Sequence, residues 1–581
     1  MKRRYLVFLL GLIIMFSGII GAASIQTGFG TVVVSEVDFQ AADGSMIHST
    51  LQKPIYAADS NPLPGVVVIH GSLQSKEWLM AFGIELAKRG FVVLTIDANG
   101  HGNSDPGSGS GTAALEYITS LDYVDDTQIG LIGHSMGGGI ALSAIEESSV
   151  YVRALVFVGS GFWTEPDYTP NTLVAVGYFD SLSSYPQNLT GLEPYFNVTG
   201  IAPGTTYGDF ANNTARRVIF APTNHLFETI NPIIISETVD WMKNSLKGGV
   251  EDEYWIASTS LVYPFWLAGG LFGLLGALLT VFPLIAILLD IPVFSELKGE
   301  PKEKPTTTRS FIGYGIVLGL IGTITFFPFL FVGTLLSYVI PFPQSYGIPV
   351  MSWMIGSALF AALFLFIILT RKATKQRQLQ DGTIGVEEVQ ILSVKRLLGT
   401  GSDKPVLVIF RTLAIALIVF VWLYMLALIA DLGLVLDLRS FLPGLHDLTL
   451  AQATFVPLYF IVFLIYTLID GAWLTGPMLP SAEGTWTRVQ FIWTAKAVLI
   501  KTLPYLILLA FEFVGGYLAG APLIPGIIGY SFLFFYAFTP WFAICTVITM
   551  FVYRVTGNRW LGAMINAIIC AWLLASILAL R

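Results

Sequence analysis

Ser135 lies at the centre of a G-x-S-x-G pattern that it forms with Gly133 and Gly137. The apolar residues before this pattern predict a buried strand, and the small residues after it predict a helix. A serine at such a sharp turn needs neighbours without bulky side chains, because the backbone there is strained. The first amides of the helix would stabilise a negative charge developing at the same point. The pattern alone fits a glycine-rich turn with an inactive serine equally well.

The elements around Ser135 are predicted from the spacing of apolar residues. Several apolar runs of strand length are continuous, as is typical of strands buried on both faces. Strands that alternate with helices predict a doubly wound, mostly parallel sheet, and so an α/β domain. Residues 107–111 are predicted to be a flexible Gly/Ser loop. We predict strands at 31–39, 47–53, 65–69, 91–96, 130–134, 153–158, 172–176 and 218–220, and helices at 77–89, 136–147 and 231–246.

The composition excludes several classes of function. The chain of 581 residues has a net charge of −8, 12% charged residues and a mean hydropathy of +0.70, too apolar for a wholly soluble protein. No basic stripe lies outside the membrane-flanking loops, so we expect no nucleic-acid partner. Cys545 and Cys570 both lie in apolar C-terminal runs, which excludes a thiol nucleophile near Ser135. The histidines lack metal-ligand spacing, so we expect no metal and no cofactor.

Three motifs at strand ends carry a resemblance to a known family. His70 and Gly71 follow one predicted strand, Asp97 with residues 100–104 follows the next, and residues 133–138 follow the third. In that order and at those positions, they resemble the α/β-hydrolase superfamily, and its dienelactone-hydrolase and small-esterase branch more than the lipases. No family is recognised for the apolar C-terminal region.

The resemblance implies a serine nucleophile assisted by a histidine and an acid, in the chain order serine, acid, histidine. His225 is the one histidine between Ser135 and the end of the domain, and it follows a predicted strand. Asp180 follows the strand 172–176 after a short turn and is the predicted acid. Asp209 and Asp167 remain alternatives for the acid.

The oxyanion of the reaction would be bound by two backbone amides. The resemblance assigns one to Met136, directly after the nucleophile, and the other to Ser72 in the turn after His70. About ten residues separate the sixth and seventh predicted strands, so we expect no large inserted lid over the site. The extra length lies after Asp180 and contains three N-x-S/T sequons, at Asn188, Asn197 and Asn212.

The domain organisation follows from the long apolar runs. We predict an N-terminal transmembrane anchor at 1–24, an α/β-hydrolase domain at 25–250, to which the resemblance contributes about 31–248, and an all-α transmembrane bundle at 251–581. A cleavable signal peptide ending near 21–24 is the alternative for the anchor. The eight further runs that are long enough to span are 262–289, 311–340, 347–370, 406–430, 452–476, 491–516, 524–551 and 560–580.

The loop charges predict the orientation of these spans. Lysine and arginine concentrate in the loops 291–310 and 371–405, whereas the opposite loops contain Arg439 alone. Basic loops stay in the cytoplasm, so we expect a cytoplasmic N-terminus, nine spans and an extracytoplasmic hydrolase domain. Within the spans, Asp470 and Lys501 indicate either a structural ion pair or a transport path.

These observations predict a membrane-integral serine hydrolase that cleaves an ester, thioester or amide. The hydrolase domain is tied to the bilayer at both ends, which favours a small-molecule or lipid-like acyl substrate. Two alternatives remain. One is a transporter or lipid-handling protein whose hydrolase domain processes its cargo, and the other is a non-catalytic binding or sensing ectodomain. The sequence does not indicate the oligomeric state.

Overall fold

The computed structural model describes residues 3–162, 168–252, 254–299, 307–379, 404–479 and 486–581. The strands are β1 Val32–Gln40, β2 Met46–Pro54, β3 Leu63–Ile69, β4 Val92–Ile96, β5 Val124–His134, β6 Val152–Val158, β7 Asn171–Gly177 and β8 Arg216–Ala221. The helices before the membrane region are α1 Arg3–Gln26, α2 Met80–Ala87, α3 Ser110–Thr119, α4 Met136–Glu147, α5 Glu193–Phe196 and α6 Pro232–Lys247. The later helices are α7 Tyr263–Leu288, α8 Pro292–Ser295, α9 Thr308–Ile324, α10 Phe326–Ser337, α11 Gly347–Leu379, α12 Pro405–Leu434, α13 Leu450–Ala453, α14 Val456–Thr475, α15 Trp486–Ala519, α16 Ile527–Ser531, α17 Leu533–Thr556 and α18 Arg559–Ile577.

The strands form one sheet in the order β1-β2-β4-β3-β5-β6-β7-β8. β2 pairs antiparallel with β1 and β4, and every other pair is parallel. β3 lies beside both β4 and β5, with Ile69 opposite Ile96 on one side and Gly133 on the other. The carboxyl ends of these three strands therefore meet at one edge of the sheet. The predicted doubly wound, mostly parallel sheet is confirmed.

One predicted loop is partly helical. Residues 107–111 were expected to be flexible, but helix α3 begins at Ser110, inside that segment. Gly109 has a positive φ of 80° and ends the loop directly before the helix. Ala114, Leu115 and Ile118 are fully buried. This apolar face packs against the sheet. Its burial decides that the segment is helical, in spite of the glycine and serine in the first turn.

Among the described residues, nine helices are long and apolar enough to cross a membrane, with α9 and α10 counted as one. The predicted apolar runs coincide with these helices. α1 packs against α7 through glycines. A Cβ atom added at Gly18 would lie 2.3 Å from the backbone nitrogen of Gly273, and one added at Gly276 would lie 2.3 Å from that of Met15. Glycine at these positions therefore lets the two backbones touch.

The charged side chains of the bundle are found in three places. Arg4 pairs with Asp290 and Arg411 with Glu296 at the end of the bundle that carries the basic loops. In the bundle interior, Lys501 Nζ lies 2.6 Å from Asp470 Oδ2, and both side chains are buried. The predicted pair between two spans therefore exists as a buried ion pair. The third place is the junction with the N-terminal domain.

The N-terminal domain is joined to the other end of the bundle by direct contacts. Arg439 Nε lies 2.9 Å from Glu77 Oε2. The Gln452 side-chain amide donates to the Gly102 carbonyl at 2.9 Å, and the Leu580 N–H donates to the Gly100 carbonyl at 2.7 Å. Gly102 and Gly100 lie in the loop after β4 at the carboxyl edge of the sheet. The bundle thus covers that edge.

Candidate active site

Ser135 forms the turn between β5 and α4 with φ 52° and ψ −118°, a conformation that costs energy in any residue with a side chain. Its N–H donates to the Val158 carbonyl at 2.9 Å, which fixes the turn against β6. A Cβ atom at Gly133 would lie 2.4 Å from the Gly137 carbonyl oxygen, and one at Gly137 would lie 2.2 Å from that of Ile69. The two glycines of the pattern are therefore required by close backbone contact.

His225 and Asp180 lie together beyond the carboxyl ends of β8 and β7. His225 Nδ1 is 2.9 Å from Asp180 Oδ2, and the Asp180 carboxylate is fully buried. The Leu182 N–H donates to Asp180 Oδ1 at 2.8 Å, so both carboxylate oxygens are engaged. Asp209 is exposed and accepts from its own loop at Asn212.

Asp167, the remaining alternative for the acid, lies outside the described residues.

Glu228 is a second buried carboxyl group that the sequence analysis did not identify. Its Oε2 lies 3.5 Å from His225 Nδ1, and its Oε1 accepts from the Gly177 N–H at 2.6 Å. Burial, and then the adjacent Asp180 carboxylate, raise the pKa of Glu228 well above its ordinary value. The protonated form of Glu228 is therefore favoured, and the shorter carboxylate contact of His225 Nδ1 is the one with Asp180. In the sequence, the available sign that Glu228 belongs to the site was its position three residues after His225.

His134 supports His225 from the strand side. Its Nε2 lies 3.0 Å from the His225 carbonyl oxygen, and its Nδ1 lies 2.8 Å from Gln74 Oε1. Burial, and then the nearby His225 ring, lower the pKa of His134 well below its ordinary value. His134 is thus a neutral side chain that connects the His225 loop to the turn after β3.

His70 fixes that turn. Its Nδ1 lies 2.7 Å from the Gly71 carbonyl oxygen, and its Nε2 accepts from the Ala98 N–H at 3.0 Å. These two bonds require the neutral ring with the proton on Nδ1. Burial, and then His101, lower the pKa of His70 to about 4. His70 therefore ties the ends of β3 and β4 together.

Ser72 follows directly in the same turn and faces the start of helix α4. Its Oγ lies 3.4 Å from Met136 Sδ. Met136 is the first residue of α4, so its N–H is one of the helix amides that have no intrahelical acceptor. The structure thus brings Ser72 and Met136, the two residues predicted to supply the oxyanion amides, together next to Ser135.

His134, His225 and Glu228 are also the residues that could hold a metal ion. One nitrogen or oxygen atom from each lies within 4.8 Å of the others. However, His225 Nδ1 already contacts the Asp180 carboxylate, and Glu228 Oε1 already accepts from the Gly177 N–H. We therefore assign these side chains to the hydrogen-bond network around His225.

A cavity of about 260 Å³ lies in front of Ser135 and has two different walls. Its polar wall, from the N-terminal domain, is formed by Ser72, Gln74, His134, Ser135 and His225. Its apolar wall, from the membrane region, is formed by Trp266, Phe441, Phe534, Phe538, Trp541 and Ile577. As predicted, the connection 159–170 between β6 and β7 is too short to contain a large lid. The cover that was not predicted comes from the C-terminal helical region.

A buried ionic cluster holds the two walls together. Arg439, from the segment after α12, contacts Glu77 at 2.9 Å and Asp437 at 2.7 Å, and Lys76 contacts Glu77 at 2.5 Å. Burial disfavours the charged form of Glu77, but Arg439 and Lys76 outweigh it and keep the pKa of this carboxyl below its ordinary value. The charged forms of Lys76, Glu77 and Arg439 are therefore favoured, and separation of the walls would expose or unpair these side chains.

The sheet order, with the strand–serine–helix turn at its centre, is that of the α/β hydrolases, and the predicted resemblance of the N-terminal domain to that superfamily is confirmed. Residues 60–187 match the family model Hydrolase_4, described as serine aminopeptidase, S33. The N-terminal domain thus has the fold of the α/β hydrolases. The helical region after it lies outside the match.

Individual relatives cover part of the chain. A bis(hydroxyethyl) terephthalate hydrolase from Streptomyces coelicolor is 27% identical over 33% of this chain. Lipase 1 from a Moraxella species is 34% identical over 18% of this chain. This chain spans 60% and 35% of the lengths of these two proteins. A solved structure of a hypothetical protein from Pseudomonas aeruginosa is 28% identical, with a TM-score of 0.20, over 22% of this chain and 42% of its own.

Proposed function

We propose that this chain is a membrane-integral serine hydrolase that cleaves an ester, thioester or amide at the outer face of a membrane. The observation that carries the proposal is the 2.9 Å contact between His225 and a buried Asp180, on the same cavity as the strained Ser135. Among the three kinds of bond, the relatives named as a terephthalate hydrolase and a lipase favour an ester.

In this mechanism, Ser135 Oγ attacks the acyl carbon and His225 accepts the serine proton. Asp180 holds the imidazole in the required orientation and stabilises the imidazolium. The amides of Met136 and Ser72 bind the oxyanion of the tetrahedral intermediate. His225 then returns the proton to the leaving group, and water releases the acyl group by the same steps in reverse. No cofactor takes part in these steps.

A fluorophosphonate probe tests the nucleophile. We expect the full chain in detergent to be labelled covalently at Ser135 and the variant Ser135→Ala to remain unlabelled. Ser160→Ala is the matched control, because Ser160 is a buried serine whose hydroxyl only donates to the Ser135 carbonyl. An unlabelled wild-type protein would instead support the non-catalytic sensing ectodomain.

The contacts with the N-terminal domain support the proposed orientation. The bundle contacts this domain at the segment 435–449, at the start of α17 and at the end of α18. Because consecutive long helices run in opposite directions through the bundle, these three places lie on the same side of it. Arg4 and Arg411 lie at the opposite end. Protease added outside intact cells should therefore cleave within 181–217 and leave 371–405 intact. Cleavage within 371–405 in sealed cells would reverse the orientation.

A further inference from the structure

The two walls of the cavity differ in what they offer a ligand. The polar wall supplies the groups required at one carbonyl. Of the apolar wall, Phe441, Phe534 and Phe538 are nearly buried aromatic side chains without polar atoms. A polar substituent placed against them would lose its water without gaining a hydrogen bond, which costs free energy. An apolar substituent would gain about fourfold in binding for each methylene buried, the equivalent of ~0.8 kcal/mol.

The apolar wall is held in a defined position. The Asn224 side-chain amide, next to His225, donates to the Tyr536 hydroxyl at 2.7 Å, and the Phe227 ring packs edge-on against the Tyr536 ring with centroids 5.0 Å apart. On the other side, Ser440 Oγ donates to the Glu77 carbonyl at 3.1 Å. These contacts attach the apolar wall to the loops that carry His225 and the Ser72 turn. The apolar wall of this chamber is therefore held at a fixed distance from Ser135.

From these observations we propose that the membrane region forms the acyl-binding site of the enzyme. The substrate is an ester with an apolar acyl chain, whose carbonyl lies at Ser135 and whose chain lies along α17 and α18. The cavity volume of about 260 Å³ is large enough for a medium-length chain. This inference rests on the proposed serine hydrolase function and names its substrate class.

Ala537 is the position at which the chamber can be shortened. It lines the cavity on α17, between Tyr536 and Phe538, and its small side chain is half-buried. A tryptophan there would occupy the space proposed for the acyl chain. Ala543 lies on the same helix, is also half-buried and does not line the cavity. Ala543→Trp is therefore the matched control for Ala537→Trp.

The test measures kcat/KM of the full chain in lipid nanodiscs for p-nitrophenyl esters from acetate to dodecanoate. In the wild type we expect kcat/KM to rise about fourfold per methylene until the chamber is filled and then to level off. Ala537→Trp should reduce the octanoate-to-acetate ratio at least tenfold, whereas Ala543→Trp should keep the wild-type ratio. Phe441→Ala, which enlarges the chamber from another segment, should move the best chain length upward.

The outcomes separate the two proposals. An unchanged octanoate-to-acetate ratio in both Ala537→Trp and Phe441→Ala, with Ser135 still labelled by fluorophosphonate, would overturn the acyl site and leave the hydrolase. An unlabelled, inactive wild type would overturn the hydrolase itself. Octanoyl ester supplied from water and dioctanoyl phosphatidylcholine mixed into the nanodisc distinguish the two sources of the chain. Ala537→Trp should slow the cleavage of whichever source is used.

Discussion

The two walls of the cavity are built on opposite principles. In the polar wall, buried hydrogen bonds hold side chains such as His225 and His134 in one position. In the apolar wall, ring packing contributes most of the contacts, as between Phe538 and Trp541, whose centroids are 4.8 Å apart. The first arrangement is suited to proton transfer and the second to selection by size and polarity. Substitutions in the two walls should therefore have different kinetic signatures.

The largest effect is expected at the nucleophile and its base. Ser135→Ala and His225→Ala should each reduce kcat by about 10⁴-fold or more, because members of such a triad act as a unit. The loss should be the same for acetyl and octanoyl esters, since the polar wall does not contact the chain. The measurement is the residual ester hydrolysis of each variant. A loss confined to long chains would contradict the division between the walls.

A smaller effect is expected at the acid. Asp180→Asn should reduce kcat at least about a hundredfold, because the amide cannot stabilise the imidazolium. Asp209→Asn, at an exposed aspartate, is the matched control and should retain activity. Steady-state kinetics of the two variants decide the assignment. Full activity in Asp180→Asn would reassign the acid to Asp209 or Asp167.

The ionic cluster tests whether the walls depend on each other. Arg439→Met leaves Glu77 buried with Lys76 as its remaining charged partner, and loss of one partner of a buried pair costs about 3–5 kcal/mol. We expect a lower Tm and easier proteolysis of 435–449. Arg411→Met, at the opposite end of the bundle, is the control.

The double variant Glu77→Leu/Arg439→Met should recover only part of this loss, because Lys76 keeps Glu36 as a partner but the buried Asp437 still lacks Arg439. Equal Tm values for Arg439→Met and the wild type would mean that the walls are held together without the cluster.

The smallest effect is a pH dependence of stability. The pKa of His70 is lowered to about 4 in the folded protein, from an ordinary 6.5. Above pH 6.5 the His70 ring is neutral in both the folded and the unfolded chain. As pH falls from 6.5 towards 4, only the unfolded chain binds the proton, so the free energy of unfolding should fall by up to about 1.4 kcal/mol per pH unit.

Thermal unfolding of the full chain between about pH 7.5 and 4.5 measures this dependence. His70→Asn should show a shallower decline than the wild type. His48→Asn, at a half-exposed histidine of β2, should decline as the wild type does. Equal slopes in all three proteins would remove His70 as the cause.

Much of the hydrolase domain could be predicted from the sequence. Buried parallel strands appear as continuous apolar runs, so β3 to β8 were located to within a few residues, apart from the early start of β5. Ser135, His225 and Asp180 follow strand ends, and parallel strands bring their ends to one edge. Glu228 was missed because its role depends on burial beside Asp180, which sequence spacing does not reveal.

The apolar wall could not be predicted for a different physical reason. The spanning helices were located, but a helix that is apolar on every side gives no signal of which side meets a partner. Arg439 was noticed only as the single basic residue of the outer loops. The junction itself depends on tertiary packing over several hundred residues.

The glycine contact between α1 and α7 has a consequence for biosynthesis. The two helices touch backbone to backbone at Gly18 and Gly273, yet the whole of residues 27–262 is made between them. At synthesis rates of roughly 5–20 residues per second, α1 waits in the bilayer for tens of seconds before its partner emerges. A folded hydrolase domain holds the two attachment points close together, whereas an unfolded loop of that length would not. Folding of the N-terminal domain would thus precede, and guide, the packing of α1 against α7.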